Sequence, residues 1–200
     1  MPFGIRMLAS IRLVPAYERP SAKRPHHDTS MFLDEEDGLV AKGFETLDMN
    51  ALQARAHRWR FNLVTGATTE ESLSDRCTEF PMVNGRHAGR HHRYIYEARC
   101  THGLFAFDAL IKRDVDAGTE TLIEFDDGVF VSETVMAPRT GSTAEDDGYL
   151  VTFTSNMNTN ESHCVILDAA DPAAEPVAQI RLPERISSGT HSTWAPLTDL

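Results

Sequence analysis

From His57 onward the apolar residues come in short runs, rich in β-branched and aromatic side chains and broken by Gly, Asp, Asn or Pro. The pattern predicts strands over 57–63, 94–96, 104–115, 121–125, 129–136, 149–154, 164–167 and 177–182. One brief helix is predicted, from the potential N-cap Asp48 through Arg55. Residues 1–30 break the pattern. Pro2, Pro15, Pro20 and Pro25 oppose both a helix and a central strand, and Arg6, Arg12, Arg19, Lys23 and Arg24 give a local basic excess. This segment is expected to be a poorly ordered lead-in, with a targeting peptide as the alternative. The folded part is expected over 31–200.

A period runs through the strands. Asn62-Leu63-Val64-Thr65-Gly66 returns as Asp114-Val115-Asp116-Ala117-Gly118 and, more loosely, as Asp168-Ala169-Ala170-Asp171-Pro172, at intervals of 52 and 54 residues. Glu36-Asp37-Gly38 returns as Asp146-Asp147-Gly148 after 110, which is two such intervals. Repeats of about 40 to 50 residues holding several strands each mark β-propeller blades. The fold class is therefore all-β, a partial propeller of about three blades. Since propellers close with about 4 to 8 blades, three leave open edges through which the chain is expected to self-associate. A small β-sandwich with coincidental turn spacing is the competing reading.

Composition narrows the function classes. With 30 acidic against 19 basic residues and a net charge of −11, the chain lacks the cationic surplus that a phosphate backbone demands, so no nucleic-acid partner is expected. No run approaches the roughly 20 apolar residues of a membrane span, and Arg12 interrupts the N-terminal apolar run, so a cytoplasmic protein is expected. Cys77, Cys100 and Cys164 show neither disulfide nor zinc spacing and read as thiols in a reducing compartment.

Each marked turn is followed by one chemically distinctive residue: Asn62 by Glu79 after 17 positions, Asp114 by Glu133 after 19, and Asp168 by His191 after 23. In a propeller these would sit on neighbouring inner strands. Cys77-Thr78-Glu79-Phe80-Pro81, Ser132-Glu133-Thr134-Val135-Met136-Ala137-Pro138-Arg139 and Ser187-Ser188-Gly189-Thr190-His191 resemble segments of the carotenoid cleavage oxygenase family. The likeness runs from about Ala41 to Pro196, and Arg58–Leu63, Asp75–Phe80 and Ile186–His191 are similar to its bacterial lignostilbene and stilbene dioxygenase branch.

That resemblance implies a seven-bladed propeller with one Fe(II) on its axis, held by four histidines, three of them braced by glutamates. His191 matches the last iron ligand; Glu79 and Glu133 match two bracing glutamates. The implied activity is cleavage of an alkene C=C bond by O2 into two carbonyl products, with a small hydrophobic stilbenoid or apocarotenoid as substrate. Neutral imidazole suits Fe(II), and a carboxylate on the other ring nitrogen fixes its tautomer and orientation. The remaining histidines have no match here, so a truncated chain is expected, of doubtful activity by itself. The competing function is a noncatalytic propeller remnant or a module that completes a partner's propeller.

Each residue also has a plainer reading. Glu79 can end a strand beside a rigid turn, Glu133 can lie on a wet strand face, and a lone histidine near a C-terminus is commonly a surface residue. His87 and His91 have helical metal-pair spacing, but Gly85 and Gly89 oppose a helix, and a solvated loop is expected over 85–93. His26 and His27 read as solvated, and Trp59 and Trp194 as packing residues.

Overall fold

The computed structural model describes residues 5–9, 54–101, 105–186 and 191–195. These hold twelve strands: β1 (Ile5–Ala9), β2 (His57–Phe61), β3 (Thr68–Ser72), β4 (Thr78–Met82), β5 (Tyr94–Cys100), β6 (Phe107–Asp114), β7 (Thr119–Glu124), β8 (Val129–Val131), β9 (Val135–Pro138), β10 (Gly148–Asn156), β11 (Glu161–Asp168) and β12 (Ala178–Arg181). They form three antiparallel sheets, ordered β1-β2-β3, β4-β5-β6-β7, and β12-β11-β10 with both β8 and β9 on the far side of β10. The proline-rich lead-in thus contributes one edge strand, β1, paired with β2. Among the described residues the only helical turn is the 3-10 turn Gly85–His87. Of the predicted helix, Ala54 and Arg55 lie in no regular element and 48–53 fall outside the described residues.

The recurring turn has a physical basis. Asn62 Oδ1 accepts the N–H of Val64 and Thr65, and Asp114 Oδ1 accepts those of Asp116 and Ala117, at 2.9–3.1 Å. The last position must then be left-handed, and Gly66 (φ 74°) and Gly118 (φ 68°) supply it without a Cβ penalty. Both turns join the last-but-one strand of a sheet to the edge strand that follows it, and Asp168 ends β11 at the matching place. The Asp-Asp-Gly marker opens β10. A Cβ at Gly148 would meet the Ala137 carbonyl at 2.4 Å, so the close approach of β9 requires glycine there.

The second sheet lies between the other two. Successive strand residues face opposite sides, and β6 uses this to tie both neighbours. Arg113 turns to the first sheet, donating to the Leu73 carbonyl at 3.1 Å, and Arg58 returns a bond from β2 to the Val115 carbonyl at 3.1 Å. Lys112 turns to the third sheet, where Nζ donates to Asp146 Oδ2 and to the carbonyls of Ala169 and Ala170 at 2.7–2.9 Å. On that same side Tyr96, Ala98, Phe107, Leu110 and Ile123 pack against Val131, Met136, Leu150, Val165 and Leu167. Full burial of side chains such as Leu110 and Leu150 contributes about 1.5–3 kcal/mol each.

Candidate functional site

Glu79 lies on β4, the first strand of the second sheet, and Glu133 lies between β8 and β9, which both pair with β10 at one edge of the third. Both sit where a ladder carries one extra residue. From Glu79 to Met82 three steps face two, Ala98 to Tyr96, on β5. From Val131 to Val135 four steps face three, Thr154 to Val151, on β10. A bulge bends its strand and re-aims side chains, which is how a carboxylate can leave the sheet's alternation. At the first bulge Phe80 adopts φ 52°, immediately before Pro81. A left-handed conformation at a non-glycine residue costs about 1–2 kcal/mol, so the surrounding packing holds it there. At the second, Ser132 Oγ takes the place of a ladder acceptor for the Phe153 N–H at 3.2 Å.

Glu133 and His191 come together. Glu133 is buried, with its side chain 9% exposed, and its Oε2 lies 3.5 Å from His191 Nδ1. The same oxygen accepts the Ser192 N–H at 2.6 Å, while Ser192 Oγ donates to the Glu133 carbonyl at 3.2 Å. The Phe80 ring meets the His191 ring edge-on, centroids 6.0 Å apart, and continues into Phe105 and Phe107. His191 therefore has a carboxylate near one nitrogen, an aromatic edge beside its ring, and the rest of its side chain, 87% of it, open.

Glu79 faces the same side of the sheet as Ala98, and burial pushes its carboxyl above the ordinary carboxylate range, opposed by a hydrogen bond from the Phe80 backbone. Its neighbour Phe80 touches His191; no described histidine pairs with Glu79 itself. The motif Glu-Phe-Pro was legible as the setting of Glu79. The role of its phenylalanine, and that of Ser192, were not, because each depends on a contact between residues far apart in the chain.

The other described histidines stand apart from this site. His57 Nε2 is 3.0 Å from Glu70 on the first sheet, where Trp59 also bonds Glu70. His87 is 3.8 Å from Glu145, and His91 is 3.4 Å from Asp116, in the loop expected over 85–93. His26 and His27 lie outside the described residues. Trp194, expected to pack, is 48% exposed. Among the described residues no group of three or more His, Cys, Asp or Glu side chains is placed to hold a metal. A cavity of about 230 Å³ between Tyr94, Lys112, Asp146 and Pro172 is lined by none of the three predicted site residues.

Comparison with known proteins agrees with the fold and with the motifs. The family model described as retinal pigment epithelial membrane protein matches residues 10–196. The apocarotenoid-15,15'-oxygenase of Synechocystis is 35% identical over 167 residues, covering 82% of this chain and 33% of the relative. The carotenoid 9,10(9',10')-cleavage dioxygenase 1 of Pisum sativum is 36% identical over 151 residues, covering 68% and 28%. Among solved structures, a variant of the Synechocystis enzyme superposes with a TM-score of 0.69 at 32% identity, over 78% of this chain and 32% of that one. A cobalt-substituted form of the same enzyme gives 0.68.

The chain belongs to the RPE65/carotenoid cleavage oxygenase family, a family of oxygenases that cleave alkenes, and its three sheets are blades of that family's β-propeller. It spans about a third of the length of the relatives it matches. No helix among the described residues is long and apolar enough to cross a membrane.

Tested against a metal, the donor chemistry fits a single ligand position. A proton on Nδ1, the nitrogen 3.5 Å from Glu133 Oε2, would leave the Nε2 lone pair of His191 for a borderline cation such as Fe(II).

Proposed function

We propose that this chain supplies one iron ligand, His191, and two bracing carboxylates, Glu133 and Glu79, to a nonhaem Fe(II) dioxygenase that adds O2 across an alkene and releases two carbonyl products. The observation that carries this reading is the meeting of His191 Nδ1 with Glu133 Oε2 at 3.5 Å, across 58 residues of sequence. Glu133 holds the proton on Nδ1 and so presents Nε2 as the free donor; Ser192 fixes the carboxylate from its other side. Bound Fe(II) would supply the site where O2 is bound and activated, while the electrons that reduce O2 would come from the alkene's C=C bond. Phe80, backed by Phe105 and Phe107, sets an aromatic edge beside the open ring of His191, a surface that suits a conjugated hydrocarbon.

The relatives are named for carotenoid and apocarotenoid substrates, which supports a polyene. The segments Arg58–Leu63, Asp75–Phe80 and Ile186–His191 support a stilbenoid instead, and one product assay with both separates them. The described residues offer one imidazole to the metal, so the reading assigns turnover to the complete donor set rather than to this segment alone. A noncatalytic module is the second reading, favoured by the openness of His191.

The test is anaerobic titration of the purified chain with ferrous iron, followed by O2 with an apocarotenoid or a stilbene. The reading predicts weak iron binding through one imidazole, lost in His191→Ala and lowered about 10- to 100-fold further in Glu133→Gln, with paired carbonyl products only where the complete donor set is present. Iron binding untouched by His191→Ala, or products that retain the C–C bond, would contradict it.

A further inference from the structure

Cys77 and Cys100 lie opposite one another across the β4–β5 pair. The ladder pairs Thr78 with Arg99 and Glu79 with Ala98. It continues one step further, where the Cys100 N–H donates to the Cys77 carbonyl at 3.0 Å. Directly opposed residues joined by backbone bonds have Cα atoms about 5.5 Å apart, inside the span of roughly 4.4–6.8 Å over which disulfides form. Facing residues share a side of the sheet, and the two thiols hydrogen-bond one another. Both are half-buried, neither sealed in the core nor widely exposed. Their sequence separation of 23 gave no sign of this, because only strand register brings them together.

We propose that Cys77 and Cys100 form a reversible cross-strand disulfide, a modification site on the strand that carries Glu79. The oxidant is a small disulfide, RSSR. The Cys77 thiolate attacks one sulfur of RSSR and expels RS⁻. Cys100, after losing its proton to water, attacks the Cys77 sulfur of the mixed disulfide and expels the second RS⁻. Two protein thiols are oxidised, one RSSR is reduced, and the two protons end on two RSH. The hydrogen bond from Cys100 holds the Cys77 thiol below its ordinary pKa, whereas donating that bond and burial hold Cys100 above its own. The bond would fix the start of β4 two residues before Glu79, whose charge both thiols feel. This inference is independent of the iron reading.

The test is incubation of the full chain with glutathione disulfide over a series of ratios to glutathione, quenching with an alkylating agent, and peptide mass mapping. Expected is one linked peptide pair joining Cys77 to Cys100 within a chain, lighter by two hydrogen atoms and reversed by dithiothreitol, with Cys164 on β11 outside the linkage. Cys100→Ser should stop at a glutathione adduct on Cys77. Wild-type chain in which Cys77 and Cys100 are both alkylated, both carry separate glutathione, or are linked only between chains would overturn the proposal.

Discussion

Glu79, Phe80 and Glu133 show what a single extra residue in a ladder accomplishes. Each carboxylate is released from strict alternation by a bulge, and Phe80 absorbs the distortion in a left-handed conformation that packing against Phe105, Phe107 and His191 maintains. Burial raises the Glu79 carboxyl, and the sign of its effect on stability follows. Between the ordinary carboxylate value and the raised one, the folded chain binds more protons than the unfolded chain. Stability from this group therefore falls as pH rises through that window. Glu79→Gln should flatten this fall, leaving the variant more stable relative to wild type above the window than below it. Urea unfolding at several pH values checks this, and a parallel pH dependence in both proteins would count against it. The carboxylate's cost to the fold is the kind of local conflict expected where a residue is kept for chemistry.

Between elements, the second sheet is fastened on both sides by neighbouring residues of β6. Its most buried ionic contact is Arg113 with Glu97, where Nε and Nη2 donate to Glu97 Oε2 at 2.8 and 2.7 Å. Thr78 donates to the other Glu97 oxygen at 3.1 Å, and Glu120 also accepts from Arg113. Thr78 precedes Glu79, so the network anchors β4 beside the site. Removing one partner of a buried pair strands the other, at about 3–5 kcal/mol. Glu97→Gln is expected to approach that loss in denaturant unfolding, whereas the double variant Glu97→Leu, Arg113→Met should recover much of it. Little loss in the single variant would show that the pair is not a fastening. Strand content was largely legible: β2, β5, β6, β7, β10, β11 and β12 fall within or overlap the predicted runs. Missed were β1, within the proline-rich stretch read as a lead-in, β3, whose Thr-Thr-Glu-Glu-Ser sequence is exposed throughout and offers no apolar signal, and β4, whose Pro81 is tolerated only because a bulge stands there. The run 129–136 was read as one strand. Glu133 splits it into β8 and β9.

For the whole molecule, the 52-residue period marked real blades because Asn62 and Asp114 build the same turn at the same place in successive sheets. A further such turn escaped notice: Asn156 accepts the N–H of Asn158 and Thr159, with Asn160 (φ 57°) where Gly66 and Gly118 stand in the first two. It joins β10 to β11, one strand earlier, and so lies outside the period. The candidate residues could be named one by one from their motifs, but the meeting of Glu133 with His191 could not, since it joins positions 58 residues apart. That meeting is the centre of the account, and its most direct measurement is the nitrogen NMR of the His191 ring, assigned by comparison with His191→Ala. The neutral ring should carry its proton on Nδ1 in the wild type and lose that preference in Glu133→Gln. A proton found on Nε2, or a tautomer indifferent to Glu133, would contradict the assignment of Glu133 as the brace of a metal ligand.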